Sequence, residues 1–149
     1  MNELDFGVLS GMLGVELRKA QQIAEQTFAN FVSGSLLPGH LTILVLIKDN
    51  PNQSQSAIAK AAGLDRSSLV PIVKQFEKRD WIVRQKSSVD SRANIVNITD
   101  EGLNQLNEYL PLTQTLESKV KNEMSVKDYD ALVSLLKKFQ NSVINIVTQ

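Results

Sequence analysis

The sequence predicts a mainly α-helical fold with one small β-hairpin. Apolar residues recur at three- and four-residue spacing along most of the chain, which is typical of helices with one buried face. Two short runs rich in β-branched residues lie close together, at residues 81–86 and 94–98, which favours a hairpin. The 149 residues, 42% of them hydrophobic and 21% charged, suit one compact domain with helical extensions.

Three helices are expected in the N-terminal half. The first covers residues 4–31, and the second begins at Pro38, whose ring suits a first helical turn. The second helix ends before Pro51, because proline disfavours helical geometry in the residue that precedes it. Ser54 is expected to cap a short third helix over residues 55–62.

A fourth helix is expected after a tight turn at Gly63, with Asp65 as its cap. Its buried stripe consists of Leu69, Ile72, Val73 and Phe76. Pro71 interrupts the hydrogen bonding of this helix, so either the helix is kinked or it begins near Val70. The apolar stripe keeps its phase through Pro71, which favours the kink.

Two further helices follow the hairpin. Thr99 is expected to cap the fifth helix, and Ser125 the sixth. Two short helices joined by a glycine turn and followed by a hairpin form the arrangement of a winged helix-turn-helix.

The composition excludes several classes of protein. The chain has no cysteine, which excludes disulfides, thiolate metal sites and cysteine redox sensing. His40 is the only histidine, and neither a phosphate-binding glycine loop nor a serine nucleophile motif accompanies it. We therefore expect no cofactor, no metal and no enzymatic activity. A small hydrolase that uses His40 is the weaker alternative.

The chain is expected to be cytoplasmic, without a membrane partner. No apolar run approaches the ~18–20 residues that span a bilayer. The acidic N-terminal residues 1–5 also lack the basic region that opens a secretory signal.

The distribution of charge points to a phosphate-binding region within a chain of zero net charge. Residues 66–92 contain seven basic and three acidic side chains, a net charge of +4, and the remainder of the chain carries −4. One basic third is what local binding to nucleic-acid phosphates requires. A chance fluctuation on a solvated face is the alternative.

The fourth helix and the hairpin tip carry the candidate DNA contacts. Hydroxyl and amide groups on the outer face of the helix suit base edges, and its lysines suit phosphates. Arg92 at the tip suits the minor groove, with Asp90 holding its guanidinium; a solvated turn with a surface ion pair is the alternative. The expected DNA-contacting residues are Ser54, Gln55, Arg66, Ser67, Ser68, Pro71, Lys74, Gln75, Lys78, Arg84, Lys86, Asp90 and Arg92.

These motifs resemble a known family. Residues 58–71 resemble the helix-turn-helix of the MarR family of transcription regulators. Residues 90–102 are similar to that family's wing, an acidic residue and an arginine followed by a short strand, a threonine and a glycine. The sequence departs from the family at Asp80 and Trp81, where glycine and a small or aliphatic residue are usual.

The resemblance implies a homodimer. In the family the first, fifth and sixth helices interlock with those of the partner, and two recognition helices read a palindromic DNA site. Here residues 1–35 and 103–149 would be dimerisation helices and residues 38–102 the DNA-binding lobe. The apolar faces of residues 4–31 and 132–147 independently suit an interface. A winged helix that contacts another protein instead of DNA is the alternative.

The resemblance also implies an effector. Many members are repressors released by small aromatic anions, and residues 13–20, 37–40 and 65–71 resemble the branch that senses hydroxycinnamate-type acids or their CoA thioesters. Arg18 would then meet a carboxylate or phosphate, and His40 would donate a hydrogen bond. Alternatively, Arg18 forms an intersubunit ion pair and His40 is a satisfied loop histidine.

Overall fold

The computed structural model describes residues 5–32, 36–86 and 94–148 of the chain. The fold is mainly α-helical with a small antiparallel sheet, which confirms the predicted fold class. The chain divides into two compact units, residues 1–112 and residues 113–149. Among the described residues no helix is long and apolar enough to cross a membrane.

Six helices and three strands are observed in the described parts of the chain. The helices are α1 (Leu13–Val32), α2 (Pro38–Asp49), α3 (Gln55–Ala61), α4 (Arg66–Lys78), α5 (Asp100–Met124) and α6 (Val126–Val147). The strands are β1 (Gln53–Ser54), β2 (Ile82–Lys86) and β3 (Asn94–Ile98).

The first helix begins later than the sequence predicted. A 3-10 turn covers Gly7–Leu9, and α1 starts only at Leu13. The backbone φ angles of Gly7 and Gly11 are +51° and +78°, in the left-handed region that a continuing α-helix cannot contain. The predicted start at residue 4 is therefore wrong.

The capping predictions in the helix-turn-helix are confirmed. The Ser54 hydroxyl accepts a hydrogen bond from the Ala57 N–H at 3.2 Å, which satisfies a free donor at the start of α3. The Asp65 carboxylate accepts one from the Ser68 N–H at 2.7 Å at the start of α4. Between them Gly63 has a φ of +69°, the left-handed geometry of the tight turn.

Helix α4 runs without interruption from Arg66 to Lys78 and contains Pro71. The alternative in which it begins near Val70 is therefore wrong, and the kink at Pro71 stays a prediction.

The sheet has one strand more than predicted. Its order is β1-β3-β2, and both pairings are antiparallel, with Gln53 opposite Val96 in the added pair. Asn52 and Asn97 secure this pair. The Asn52 N–H donates to the Asn97 side-chain oxygen at 2.8 Å, and the Asn97 amide donates to the Asn52 side-chain oxygen at 2.9 Å.

The core of the first unit lies where α2 and α4 meet the sheet. Its largest fully buried side chains are Leu36, Ile43, Leu44, Ile47, Leu69, Val73, Phe76, Val96 and Leu106. Burial of so much apolar surface makes this region a rigid base for α4 and the hairpin.

A compact junction joins the end of α4, the start of β2 and the start of α5. The Thr99 N–H donates to the Trp81 carbonyl at 3.0 Å, and the Thr99 hydroxyl donates to the Asp80 carbonyl. The same hydroxyl accepts from the Gly102 N–H at 3.0 Å, so Thr99 caps α5 as predicted. These bonds tie the hairpin base to α5.

The second unit contains the end of α5 and all of α6. The Ser125 hydroxyl accepts from the Asp128 N–H at 3.2 Å, which confirms the predicted cap of α6. The Lys121 ammonium lies 4.7 Å from the centre of the Tyr129 ring. Large apolar side chains along α6 remain exposed, among them Leu135 at 62% and Ile146 at 74%.

Candidate nucleic-acid interface

The buried stripe of α4 determines which face of this helix points outward. Leu69, Val73 and Phe76 are at most 1% exposed, because they pack into the core of the first unit. The other side of the helix carries exposed Ser67, Ser68, Pro71, Lys74 and Lys78, with Gln75 partly exposed. The structure thus brings six of the thirteen predicted DNA-contacting residues together on one surface, called here the α4 outer face.

Asp65 orients the first turn of this face. Its carboxylate accepts from the Ser67 hydroxyl at 2.6 Å and from the Ser68 N–H at 2.7 Å. The hydrogen bond from Ser67, followed by those from Ser68, lowers the pKa of Asp65. Because the Ser67 hydroxyl donates its proton to Asp65, it can interact with a further group only as an acceptor.

Several exposed cations lie on α4 or on α3 and β2, the elements that contact it. Lys74 and Lys78 are exposed, and neither forms an ion pair with a carboxylate of the described residues. Arg66 at the start of α4 and Lys86 at the end of β2 are also exposed. Lys60 on α3 is exposed as well; it lies outside the basic segment 66–92 and was not among the residues predicted to contact DNA.

Arg84 occupies a different position from the other predicted cations. Its guanidinium Nη2 lies 3.0 Å from Glu77 Oε2 of α4, and each side chain is only about one third exposed, 34% and 36%. Glu77 was not singled out from the sequence, although its location seven residues before Arg84 at the end of α4 made contact across the turn feasible.

The prediction needs a correction at Gln55. Its side chain is 7% exposed, so it faces the protein interior and not the surface that would meet DNA. Its Nε2 has no hydrogen-bond partner among the described residues. Ser54, the adjacent predicted contact, is partly buried, and its hydroxyl is occupied by the cap of α3. Asp90 and Arg92 at the hairpin tip lie outside the described residues.

The turn from α4 into β2 explains the departure at Asp80 and Trp81. Asp80 has a φ of +58°, which glycine adopts without cost and aspartate tolerates better than most residues. The Trp81 ring lies 5.4 Å from the Phe76 ring, and the Arg79 guanidinium lies 4.9 Å from the indole. A large aromatic residue therefore fits where small residues are usual, because Phe76 and Arg79 enclose it.

His40 contacts α4 through Phe76. Its ring meets the Phe76 ring edge-on, with centres 5.6 Å apart and an angle of 88° between the planes. Burial, and secondarily the positive charge of Arg79, lower the pKa of His40. Its Nδ1 is buried and has no hydrogen-bond partner among the described residues, so the alternative of a satisfied loop histidine does not match the geometry at Nδ1.

Arg18 lines an open cavity of about 630 Å³ on the first unit. The lining residues are Phe6, Leu9, Met12, Gly14, Val15, Arg18, Lys19 and Gln22. Four apolar side chains thus lie beside two cations, and the Lys19 ammonium lies 4.2 Å from the centre of the Phe6 ring. His40 does not line this cavity, so the two predicted effector residues are not brought together there.

A helix-turn-helix with a polar, basic recognition face and an adjoining hairpin defines the class of DNA-binding winged-helix transcription regulators. Comparisons with known proteins agree. The sequence profile of the MarR family matches residues 36–93. A Thauera aromatica protein assigned as the transcriptional regulator of the hcr operon is 33% identical over 138 residues, which cover 91% of this chain and 83% of that protein. The chain belongs to the MarR family.

Solved structures give the same fold. The transcriptional repressor CouR bound to a 23-mer DNA duplex is 31% identical, with a TM-score of 0.83, and the match covers 93% of this chain and 99% of CouR. CouR bound to p-coumaroyl-CoA is similar at a TM-score of 0.82, with 93% and 98% covered. PcaV from Streptomyces coelicolor, 19% identical with a TM-score of 0.84 over 96% and 99% of the two chains, supports the fold alone. The members of this family are transcription regulators, not enzymes.

Proposed function

We propose that this chain is a homodimeric repressor that binds a palindromic operator and is released by a small aromatic acid or its CoA thioester. The observation that carries the proposal is the α4 outer face, held rigid by the buried side chains beneath it. CouR, 31% identical to this chain, has been solved both with DNA and with p-coumaroyl-CoA, which supports both halves of the proposal.

The first turns of α4 would read bases in the major groove. Ser67 and Ser68 are short and exposed, which lets the helix backbone approach the base edges closely. The Ser67 hydroxyl, whose proton is committed to Asp65, would accept from a base amino group. Pro71 adds an apolar surface suited to a thymine methyl group.

The exposed lysines would bind phosphates. Lys60, Lys74, Lys78 and Lys86 are four such cations in each protomer, so a dimer presents eight. If all eight neutralise phosphates, the slope of log Kd against log salt concentration is about 7, because each phosphate contact contributes about 0.9. Arg66, Asp90 and Arg92 remain proposed contributors at the helix start and wing tip.

A second copy would cover the apolar faces that each unit leaves exposed. In the first unit Val8 is 87% exposed and Ile23 63%; in the second, Leu135 is 62% and Ile144 58% exposed. Apolar surface of this kind commonly marks an interface. We assign residues 1–35 and 103–149 to dimerisation and residues 38–102 to DNA binding. Two-fold symmetry of such a dimer would favour a palindromic site, and half-sites on one side of the DNA would be about 34 Å apart, which is one helical turn.

The cavity that contains Arg18 would hold the effector. Its volume of about 630 Å³ is within the usual range of ligand pockets, roughly 300–1,000 Å³. An aromatic ring would pack on Phe6, Leu9 and Met12, and a carboxylate or CoA phosphate would pair with Arg18 or Lys19. The proposed hydrogen bond from His40 to the effector would need a contact outside this cavity, because His40 does not line it.

Release requires that the effector bind the DNA-incompetent dimer more tightly than the competent one. A hundredfold loss of DNA affinity corresponds to about 2.7 kcal/mol of differential binding, because each tenfold change is about 1.4 kcal/mol. A ligand that changes the separation of the two recognition helices would supply this difference.

The test is fluorescence anisotropy with two DNA probes. One is a duplex enriched by this protein from a random pool (the selected duplex), and the other is the unselected pool. We expect tight, salt-dependent binding that prefers the selected duplex, and release by p-coumarate or p-coumaroyl-CoA. Equal binding of both probes would overturn the specific regulator, and unchanged binding with either ligand at millimolar concentration would overturn the effector class.

Arg18→Ala separates the two halves of this proposal. The variant should bind the selected duplex as the wild type does but resist release, because the anion loses its partner. Gln21→Ala is the matched control, since Gln21 lies on the same helix but does not line the cavity. If Arg18→Ala is released normally, the effector does not use this cavity.

A further inference from the structure

The ion pair between Glu77 and Arg84 links the recognition helix to the hairpin. Glu77 lies in the last turn of α4, and Arg84 lies in the middle of β2. Their charged atoms are 3.0 Å apart, and both side chains are about two thirds buried. A pair of this kind joins two elements that would both approach DNA.

The strand register explains why Arg84 reaches towards α4. Arg84 lies directly opposite Val96, and Ile82 lies opposite Ile98. Directly opposed residues of an antiparallel pair project to the same face, as do alternate residues along one strand. Because Val96 is fully buried and Ile82 is 2% exposed, this face of the sheet is the one that covers the core. Arg84 therefore extends along the inner face to α4.

The surroundings of Glu77 add an electrostatic argument. Glu77 lies next to Lys78 and one helical turn after Lys74, the two exposed lysines of α4. A free carboxylate at this place would repel the phosphates that these lysines attract. The ion pair with Arg84 neutralises the Glu77 carboxylate. The same ion pair occupies the Arg84 guanidinium, so it is not free to bind a phosphate.

We propose that Glu77 is a positioning residue that, through Arg84, keeps the hairpin at one spacing from the recognition helix and thereby supports sequence discrimination. The inference rests on the proposed DNA-binding function. Arg84 then connects β2 to α4 through its ion pair and does not contact a phosphate, which departs from the sequence-based expectation. Sequence discrimination requires both DNA-contacting elements in register, whereas non-specific phosphate binding tolerates a displaced wing.

The test is a double-mutant cycle with Glu77→Ala, Arg84→Ala, the double variant and the charge-reversed pair Glu77→Arg/Arg84→Glu. Glu77→Gln removes the charge with little change of shape. Asp49→Ala is the control, because it removes an exposed ion pair with Lys48 at 2.8 Å outside α4 and β2. For each variant we measure Kd for the selected duplex and the unselected pool, the salt dependence of binding, and the thermal midpoint.

Each single variant should bind the selected duplex more weakly, by up to about fivefold, the upper end of what one partly exposed ion pair contributes. The double variant should be no weaker than either single variant, and the reversed pair should recover most of the affinity. Binding to the unselected pool and the salt dependence should stay unchanged, a pattern that a general loss of stability does not produce.

Three results would overturn the positioning role. If Arg84→Ala weakened binding to both probes equally and lowered the slope of log Kd against log salt concentration by about 2 per dimer, Arg84 would be a phosphate contact. If Glu77→Ala strengthened binding to both probes, the only effect of Glu77 on DNA binding would be repulsion of the phosphates. Additive single effects would mean that the two residues act separately. If the wild type binds neither probe, the proposed function itself fails and the inference fails with it; if it binds and the cycle is additive, only the inference fails.

Discussion

Gly102 lies in the first turn of α5, where the helix backbone passes directly over the start of β2. A Cβ at this position would lie far inside van der Waals contact with the Trp81 carbonyl oxygen, 3.0 Å from its carbonyl carbon and 2.7 Å from Ile98 Cγ1. Two of these atoms belong to backbone that Thr99 holds through a 3.0 Å hydrogen bond, so they cannot move freely. Gly102→Ala should therefore force α5 away from the hairpin base.

The cost can be worked from three contributions. Overpacking of a tight site costs about 1–3 kcal/mol, and the upper value applies because the obstacle is backbone. Loss of the Thr99–Trp81 hydrogen bond adds about 1 kcal/mol. Replacing glycine by alanine in a helix returns at most about 1 kcal/mol. The net loss of unfolding free energy is about 3 kcal/mol.

Urea unfolding followed by tryptophan fluorescence measures this loss. Trp81 is the only tryptophan in the chain and its carbonyl is the contacted group, so the signal reports the affected region. With a urea dependence of about 2 kcal/mol per molar, the midpoint should fall by about 1.5 M. Protein concentration must be held constant, because dimerisation would contribute to stability.

Gly39→Ala is the matched control. Gly39 also lies in the first turn of a helix, α2, and a Cβ there meets nothing within 4 Å. Its stability should equal or slightly exceed that of the wild type. If Gly102→Ala were as stable as Gly39→Ala, the close packing of α5 on the hairpin base would be refuted.

Three further predictions concern pH, capping and DNA contact. The fold lowers the pKa of His40, so the neutral side chain contributes stability that is present above its ordinary pKa of 6.5 and is lost as the pH falls below that value. The free energy of unfolding, measured with urea, should therefore decrease between pH 7 and pH 5. This decrease should be smaller in His40→Asn. Ser54→Ala removes the hydroxyl that caps α3 by accepting from the Ala57 N–H, and it should lower the free energy of unfolding by about 1 kcal/mol. Lys74→Ala should weaken binding to the selected duplex and to the unselected pool alike, and should lower the slope of log Kd against log salt concentration by about 2 per dimer. Ser68→Ala should instead change the preference between the two probes. The opposite pattern in the anisotropy titrations would reverse the roles assigned to these two residues.

Local signals accounted for most of what could be predicted. Caps act within three or four residues, which is why Ser54, Asp65, Thr99 and Ser125 were recognised as helix starts. The periodicity of α4 likewise identified its outward side, since Leu69 and the rest of its stripe must be buried together. The family resemblance rests on the same local motifs.

Features that depend on distant residues were missed. The strand β1 has two residues, too few for a periodic signal, and it exists because β3 supplies its partner. The late start of α1 depends on the left-handed geometry of Gly7 and Gly11, which glycine permits but does not require. The cavity beside Arg18 forms because the turn at Gly7–Leu9 brings Phe6 and Leu9 against α1.

The sequence by itself determined the order of the helices, their caps, the outward face of α4 and the family. Each of these follows from hydrogen bonds and side-chain spacing within a few residues along the chain. Only the tertiary structure decided which of the predicted DNA-contacting side chains are buried or paired with another residue. Gln55 turned inward because α3 packs that face against its neighbours, and Arg84 was drawn to Glu77 because the β2–β3 register points it along the core. Burial and ion pairing depend on elements that only folding brings together.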